Sequence, residues 1–97
     1  MIYHIIIPEN VYEELNEAAL YYESKQKNLG VKFILEWEAA MLRLKRSPQL
    51  YQKKHKQLRG IKTGRFPYLM IFEIESDKIY LYRLIHSKKN PKKIFKK

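Results

Sequence analysis

At 97 residues and 45% apolar side chains, the chain is long enough for one domain with one modest core and too apolar for wholesale disorder. It has no cysteine, which excludes a disulfide framework and thiolate metal sites, and no apolar run approaches the roughly 20 residues that cross a bilayer. The net charge of +10 is unevenly spread: residues 1–40 hold seven acids and three bases (net −4), residues 41–97 seventeen bases and three acids (net +14). That asymmetry points to nucleic acid, the ribosome or an acidic protein segment as partner.

The opening MIYHIIIPEN lacks a basic leader and a small-residue cleavage site, so it reads as a strand and not as a signal peptide. The expected location is the cytoplasm, with no membrane partner. Ile2 to Ile7 are β-branched and aromatic, and Pro8 ends the run. Pro8 also suits the start of a following helix, with Glu9 favourable at the positive end of its dipole. Val11, Leu15, Ala18, Ala19 and Tyr22 recur at the helical period and leave Glu13, Glu14, Glu17 and Glu23 outside. Asn28 and Gly30 give a stop and a tight connection. A second helix is expected from near Val31, burying Phe33, Ile34, Trp37, Met41 and Leu44 and closed by Ser47-Pro48.

Residues 49–56, QLYQKKHK, have no period and read as an exposed basic loop. Leu58 to Lys62 is a strand expected to be interrupted by Gly60 and Gly64. Phe66 to Glu75 alternates, with Phe66, Tyr68, Met70, Phe72 and Ile74 on one face, and Ser76-Asp77 is a hairpin turn. Lys78 to His86 is a central strand, apolar on both sides: Ile79, Leu81 and Ile85 on one, Tyr80, Tyr82 and Leu84 on the other. The basic tail SKKNPKKIFKK is expected to be loose or to form a terminal turn. The sum is an α+β fold over residues 1–97: an N-terminal strand, an antiparallel helical hairpin and a three-stranded antiparallel meander.

The segments ALYYESKQKNLGVKF, LKRSPQLY, LRGIKTGRFPYLMIFEI and IYLYRLIHSKKNP occur in that order. Together, through their YYE…LG…F, FPY and IH…NP elements, they resemble the RelE/ParE toxin superfamily of type II toxin–antitoxin systems and plasmid stabilisation proteins. The likeness is greater on the ParE side. It implies a β-α-α-β-β-β toxin neutralised by a small antitoxin whose C-terminal segment wraps it. Operator DNA is then met only through the antitoxin. The target it implies is either DNA gyrase, bound and inhibited, or mRNA on the ribosome, cleaved without metal.

The residues support either chemistry. His4, His55 and His86 share no ligand spacing with acids, so no metal and no cofactor is expected. Metal-free RNA cleavage needs a base, cations for the phosphorane and an acid for the leaving oxygen. Arg59, Arg65, Arg83 and His86 are the catalytic candidates. Arg59, Arg65, Tyr68, Arg83, Lys88 and Lys89 are the candidates for binding a target or nucleic acid. The two basic regions, 59–65 and 83–89, are expected to converge on one edge of the sheet. Where the nuclease branch places an arginine after the glycine turn, this chain has Tyr68, and its tail KKIFKK offers no tyrosine or histidine. Those departures favour a binder whose arginines and tyrosines anchor an interface. The plain alternative for Arg83 is a cross-strand pair with Glu73 or Glu75. A non-toxic basic domain is the third reading.

Overall fold

The computed structural model describes residues 2–88. In chain order its elements are β1 (His4–Ile6), α1 (Glu9–Lys25), α2 (Leu29–Arg46), a 3₁₀ turn over Pro48–Leu50, β2 (Lys53–His55), β3 (Leu58–Lys62), β4 (Tyr68–Glu75) and β5 (Lys78–His86). The strands form one five-stranded sheet in the order β1-β5-β4-β3-β2. β1 joins β5 in parallel, and every other neighbour pair is antiparallel. The sequence-based order of strand, two helices and meander is the order observed, with one strand more. The segment read as a basic loop contains β2, a three-residue edge strand that takes its bonds from β3 with a register shift between Lys53 and His55.

The helical hairpin covers one face of the sheet and the core lies between them. Val11, Leu15 and Ala18 of α1 and Phe33, Trp37, Ala40, Met41 and Leu44 of α2 meet Ile61, Met70, Phe72, Ile79, Leu81 and Leu84 from the strands. Burying eight such helix side chains at ~1.5–3 kcal/mol for each large one is what pins the hairpin to the sheet. On the opposite face, Ile71 and Ile85 are buried with Leu58 and Leu69 against them.

α1 stops at Lys25 and the chain reverses through Asn28, whose φ of 71° lies in the left-handed region. α2 therefore begins at Leu29, two residues before the expected start, and Gly30 serves a different purpose from a stop. A Cβ on Gly30 would stand 2.5 Å from the Ala19 carbonyl oxygen, so the missing side chain lets the two helices touch. Glu23 fixes the same corner, since its carboxylate accepts the N–H groups of Asn28 (2.9 Å) and Gly30 (3.0 Å). A carboxylate at the start of α2 also meets the positive end of its dipole.

The meander departs from a regular ladder at one point. Ile71 pairs with Arg83 but Phe72 pairs with Leu81, so Tyr82 is an extra residue in β5. This bulge shifts the strand's phase. Leu84 consequently joins Ile79 and Leu81 in the main core, and Ile85 points to the other face, which reverses the expected sides of Leu84 and Ile85. Gly60 does not interrupt β3, which runs unbroken through it and leaves it buried beside the Leu69 side chain. Ser76, at φ 59°, forms with Asp77 the expected two-residue turn between β4 and β5.

Candidate functional site

β1 pairs only with Lys78, Ile79 and Tyr80, so the second half of β5 needs another cover for its outer side. α1 supplies it. Asn10 Nδ2 donates to the Tyr82 carbonyl at 2.9 Å, and Glu14 Oε1 accepts the Leu84 N–H at 2.9 Å. Four helical residues rise ~6 Å and two strand residues ~6.7 Å, so side chains one helical turn apart keep step with alternate strand residues. The other carboxylate oxygen of Glu14 accepts from Arg83 Nε. Arg83 is therefore held by helix α1, in place of the cross-strand partners Glu73 and Glu75.

Continuing along the same helix face, Glu17 and Tyr21 complete a cleft of about 270 Å³ with Tyr68 of β4 and Arg83 and His86 of β5. Tyr68 and His86 are register partners, and their rings meet edge to face at 5.2 Å. The Tyr68 ring also packs against Phe33 at 5.2 Å and Tyr22 at 6.1 Å. Burial raises the Tyr68 phenol above its ordinary pKa, with Tyr21 and Glu17 adding to the effect. At neutral pH it is a hydrogen-bond donor and not a base. His86 Nδ1 accepts the Lys88 backbone N–H at 3.1 Å, which leaves the proton of the neutral ring on Nε2.

The cleft thus gathers three of the sequence-derived candidates, Tyr68, Arg83 and His86. The others fall elsewhere. Arg59, half-buried on β3, donates to the carbonyls of Tyr51 (2.7 Å) and Gln49 (3.3 Å), tying down the 3₁₀ turn and the segment after it. One strand, β4, lies between its strand and that of Arg83, and the two guanidiniums bond to different elements, Arg59 to the segment around the 3₁₀ turn and Arg83 to α1, so they do not converge. Arg65 is exposed in the turn between β3 and β4. That turn lies at the Tyr68–His86 end of the sheet, since Thr63 N–H bonds to the Tyr68 carbonyl. Lys88 is exposed just past β5, and Lys89, with the rest of the basic tail, lies outside the described residues.

Glu14, Glu17 and Tyr21 were not among those candidates, because the helical period assigned the glutamates to solvent. The signal was present: Asn10, Glu14, Glu17 and Tyr21 repeat at i, i+4, i+7 and i+11, a polar stripe beside the apolar one. Chemically, the cleft mixes one neutralised guanidinium, one further carboxylate, two phenol O–H groups and an imidazole. It presents donors and acceptors to a polar partner but no concentration of positive charge. Among the described residues, no three histidine or acidic side chains lie together as metal ligands, and no helix is long and apolar enough to cross a membrane.

The architecture defined by these elements is a two-layer α+β sandwich, a helical hairpin on a sheet whose first strand is added in parallel to its last. The same fold occurs in a chain of the chromosomal ParDE TA system from P. aeruginosa, at a TM-score of 0.78 and 11% identity, over 90% of this chain and 98% of that one. The fold anticipated from the sequence, an N-terminal strand, an antiparallel helical hairpin and an antiparallel meander, is the fold observed. No family model and no curated protein matches the sequence.

Proposed function

We propose that this chain is the toxin of a type II toxin–antitoxin pair, a single domain over residues 1–97. It acts in the cytoplasm by binding and inhibiting a protein target such as DNA gyrase. A cognate acidic antitoxin neutralises it. The observation that carries the reading is the end-to-end fold shared with a chain of a ParDE TA system. The cleft's chemistry supports a binder over a nuclease. The glutamate beside Arg83 offsets its charge, Glu17 adds a second negative group, and Arg59 is engaged with main-chain carbonyls and does not line the cleft. A phosphodiester transition state calls for net positive charge at that place.

The second reading, a ribosome-dependent mRNA endoribonuclease, draws on one specific observation: Tyr68, Arg83 and His86 share the cleft. Controlled expression separates the two. The gyrase-type reading requires growth arrest with DNA-damage signalling and altered plasmid supercoiling while mRNA 5′ ends stay unchanged. Discrete cuts in mRNA on the ribosome, lost on replacing Arg83 or His86, would replace it with the nuclease. Undisturbed growth would leave a non-toxic basic domain and refute both.

A further inference from the structure

Helix α1 carries five glutamates and one lysine, a net charge of 1 − 5 = −4 in a chain whose total is +10. Its polar stripe delivers two of those glutamates, Glu14 and Glu17, to the cleft of about 270 Å³ shared with Tyr68, Arg83 and His86. Arg83 is the one arginine or lysine on that lining, and Glu14 holds it. Counting His86 as neutral, the lining sums to 1 − 2 = −1, the reverse of the chain's overall sign. Glu17 is exposed and has no ion pair among the described residues.

Aromatic rings complete the site. Tyr21, 55% exposed, and the half-buried Tyr68 lie on the lining with Glu17. Tyr21 already attracts a cation of its own chain, since Lys25 Nζ stands 5.2 Å from the centre of its ring. Burial above all, then Tyr21 and Glu17, raise the Tyr68 phenol above its ordinary pKa, so at neutral pH its oxygen is uncharged and accepts as well as donates. A carboxylate beside phenol rings suits a guanidinium: the carboxylate takes the N–H fork and a ring takes the planar face.

We infer that this cleft receives an arginine side chain projecting from a partner protein. Arginine is a frequent anchor of interfaces, and the strongly basic second half of the chain repels cations, so the cleft also fixes where the partner's basic group goes. A phosphate or carboxylate meets two glutamates there and is turned away. A lysine ammonium pairs with Glu17 but lacks the planar fork. The inference rests on the toxin reading in one respect, that the arginine belongs to the inhibited target.

The probe is a capped Gly-Gly-Arg-Gly-Gly peptide added to the full chain, with citrulline, lysine or glutamate at its centre for comparison. The NMR ring signals of Tyr68 and His86 report on the cleft. The arginine peptide should shift them saturably in the millimolar range, the lysine peptide should bind more weakly, and the uncharged citrulline and the glutamate peptides should leave them in place. Glu17→Gln should weaken arginine binding by at least about threefold. Tyr21→Leu should weaken it comparably, while Tyr21→Phe retains it. Equal shifts from the citrulline peptide, stronger binding of the glutamate peptide, or arginine binding unchanged in both Glu17→Gln and Tyr21→Leu would overturn the inference. So would ring signals that move on Glu17→Gln but answer to no peptide, because the chain's own lysines would then fill the cleft. Growth arrest on expression is scored separately. Arrest without arginine binding removes the site and leaves the toxin reading. Binding without arrest, or arrest undiminished in Glu17→Gln, keeps the site and removes its assignment to an inhibited target.

Discussion

Replacing Glu14 by leucine and, separately, by glutamine resolves the two contacts that join α1 to β5. Leucine removes both the acceptor for the Leu84 N–H and the ion pair with Arg83. Leu84 is 4% exposed, so its orphaned N–H costs ~1–3 kcal/mol. The Arg83 side chain is 53% exposed, and an ion pair that open to water contributes only ~0.2–1 kcal/mol. Glutamine retains an acceptor oxygen and loses only the charge. The expected losses are therefore ~2–3 kcal/mol for Glu14→Leu and under ~1 kcal/mol for Glu14→Gln. In a domain of this size each kcal/mol moves Tm by ~4–8 °C, so leucine lowers Tm by ~10–20 °C and glutamine by less than ~8 °C. Thermal unfolding followed by circular dichroism at low and at high salt checks this. Equal losses in the two variants, or a leucine loss that vanishes at high salt, would mean that the ion pair and not the covered strand edge joins the two elements.

Gly30→Ala ordinarily strengthens a helix by ~0.5–1 kcal/mol, but here the new Cβ meets a backbone oxygen at 2.5 Å; overpacking of ~1–3 kcal/mol wins and Tm falls. A rise in Tm would show that the helices separate at no cost. Arg59→Ala should lower stability by ~1–3 kcal/mol through its lost carbonyl contacts, while growth inhibition per folded molecule, assayed in cells at matched levels, is unchanged. Tyr22, Tyr68 and Tyr82 are all raised above 10.0, chiefly by burial, so unfolded chains ionise there first. Their contribution is complete below pH ~10 and is lost as pH climbs through the native values; Tm should fall there, and phenolate absorbance should appear later in native than in denatured protein. The cognate antitoxin should bind in the nanomolar range and weaken as salt rises; affinity indifferent to ionic strength would count against a charge-guided partner.

The helices and β4 were legible because each has a single apolar period that one sheet or one hairpin satisfies. β2 was not, since three residues of Lys-Lys-His carry no pattern and owe their strand geometry wholly to β3. The two sides of β5 were misassigned beyond Tyr82, because a bulge leaves no mark in a strand that is apolar on both faces. Tyr68, Arg83 and His86, singled out by type and by motif, share one cleft. Their neighbours were harder to find: Glu14 lies 69 residues from Arg83, and only the docking of α1 along the strand brings them together. Arg59 could not be placed from sequence either: its guanidinium is engaged by the protein's own carbonyls, a contact that only the folded 3₁₀ segment creates.

The extra residue in β5 divides that strand into two reading phases, one shared with the turn at Ser76-Asp77 and one with Tyr68 and the cleft. Each half keeps its own inside and outside. Deleting Tyr82 would therefore not merely smooth the ladder: with the turn half held in place, it would move Arg83 and His86 one step along the sheet and exchange the burial of Leu84 and Ile85. The cleft and the hydrophobic core are set by one shared register, so a change of length anywhere between residues 81 and 84 alters both at once.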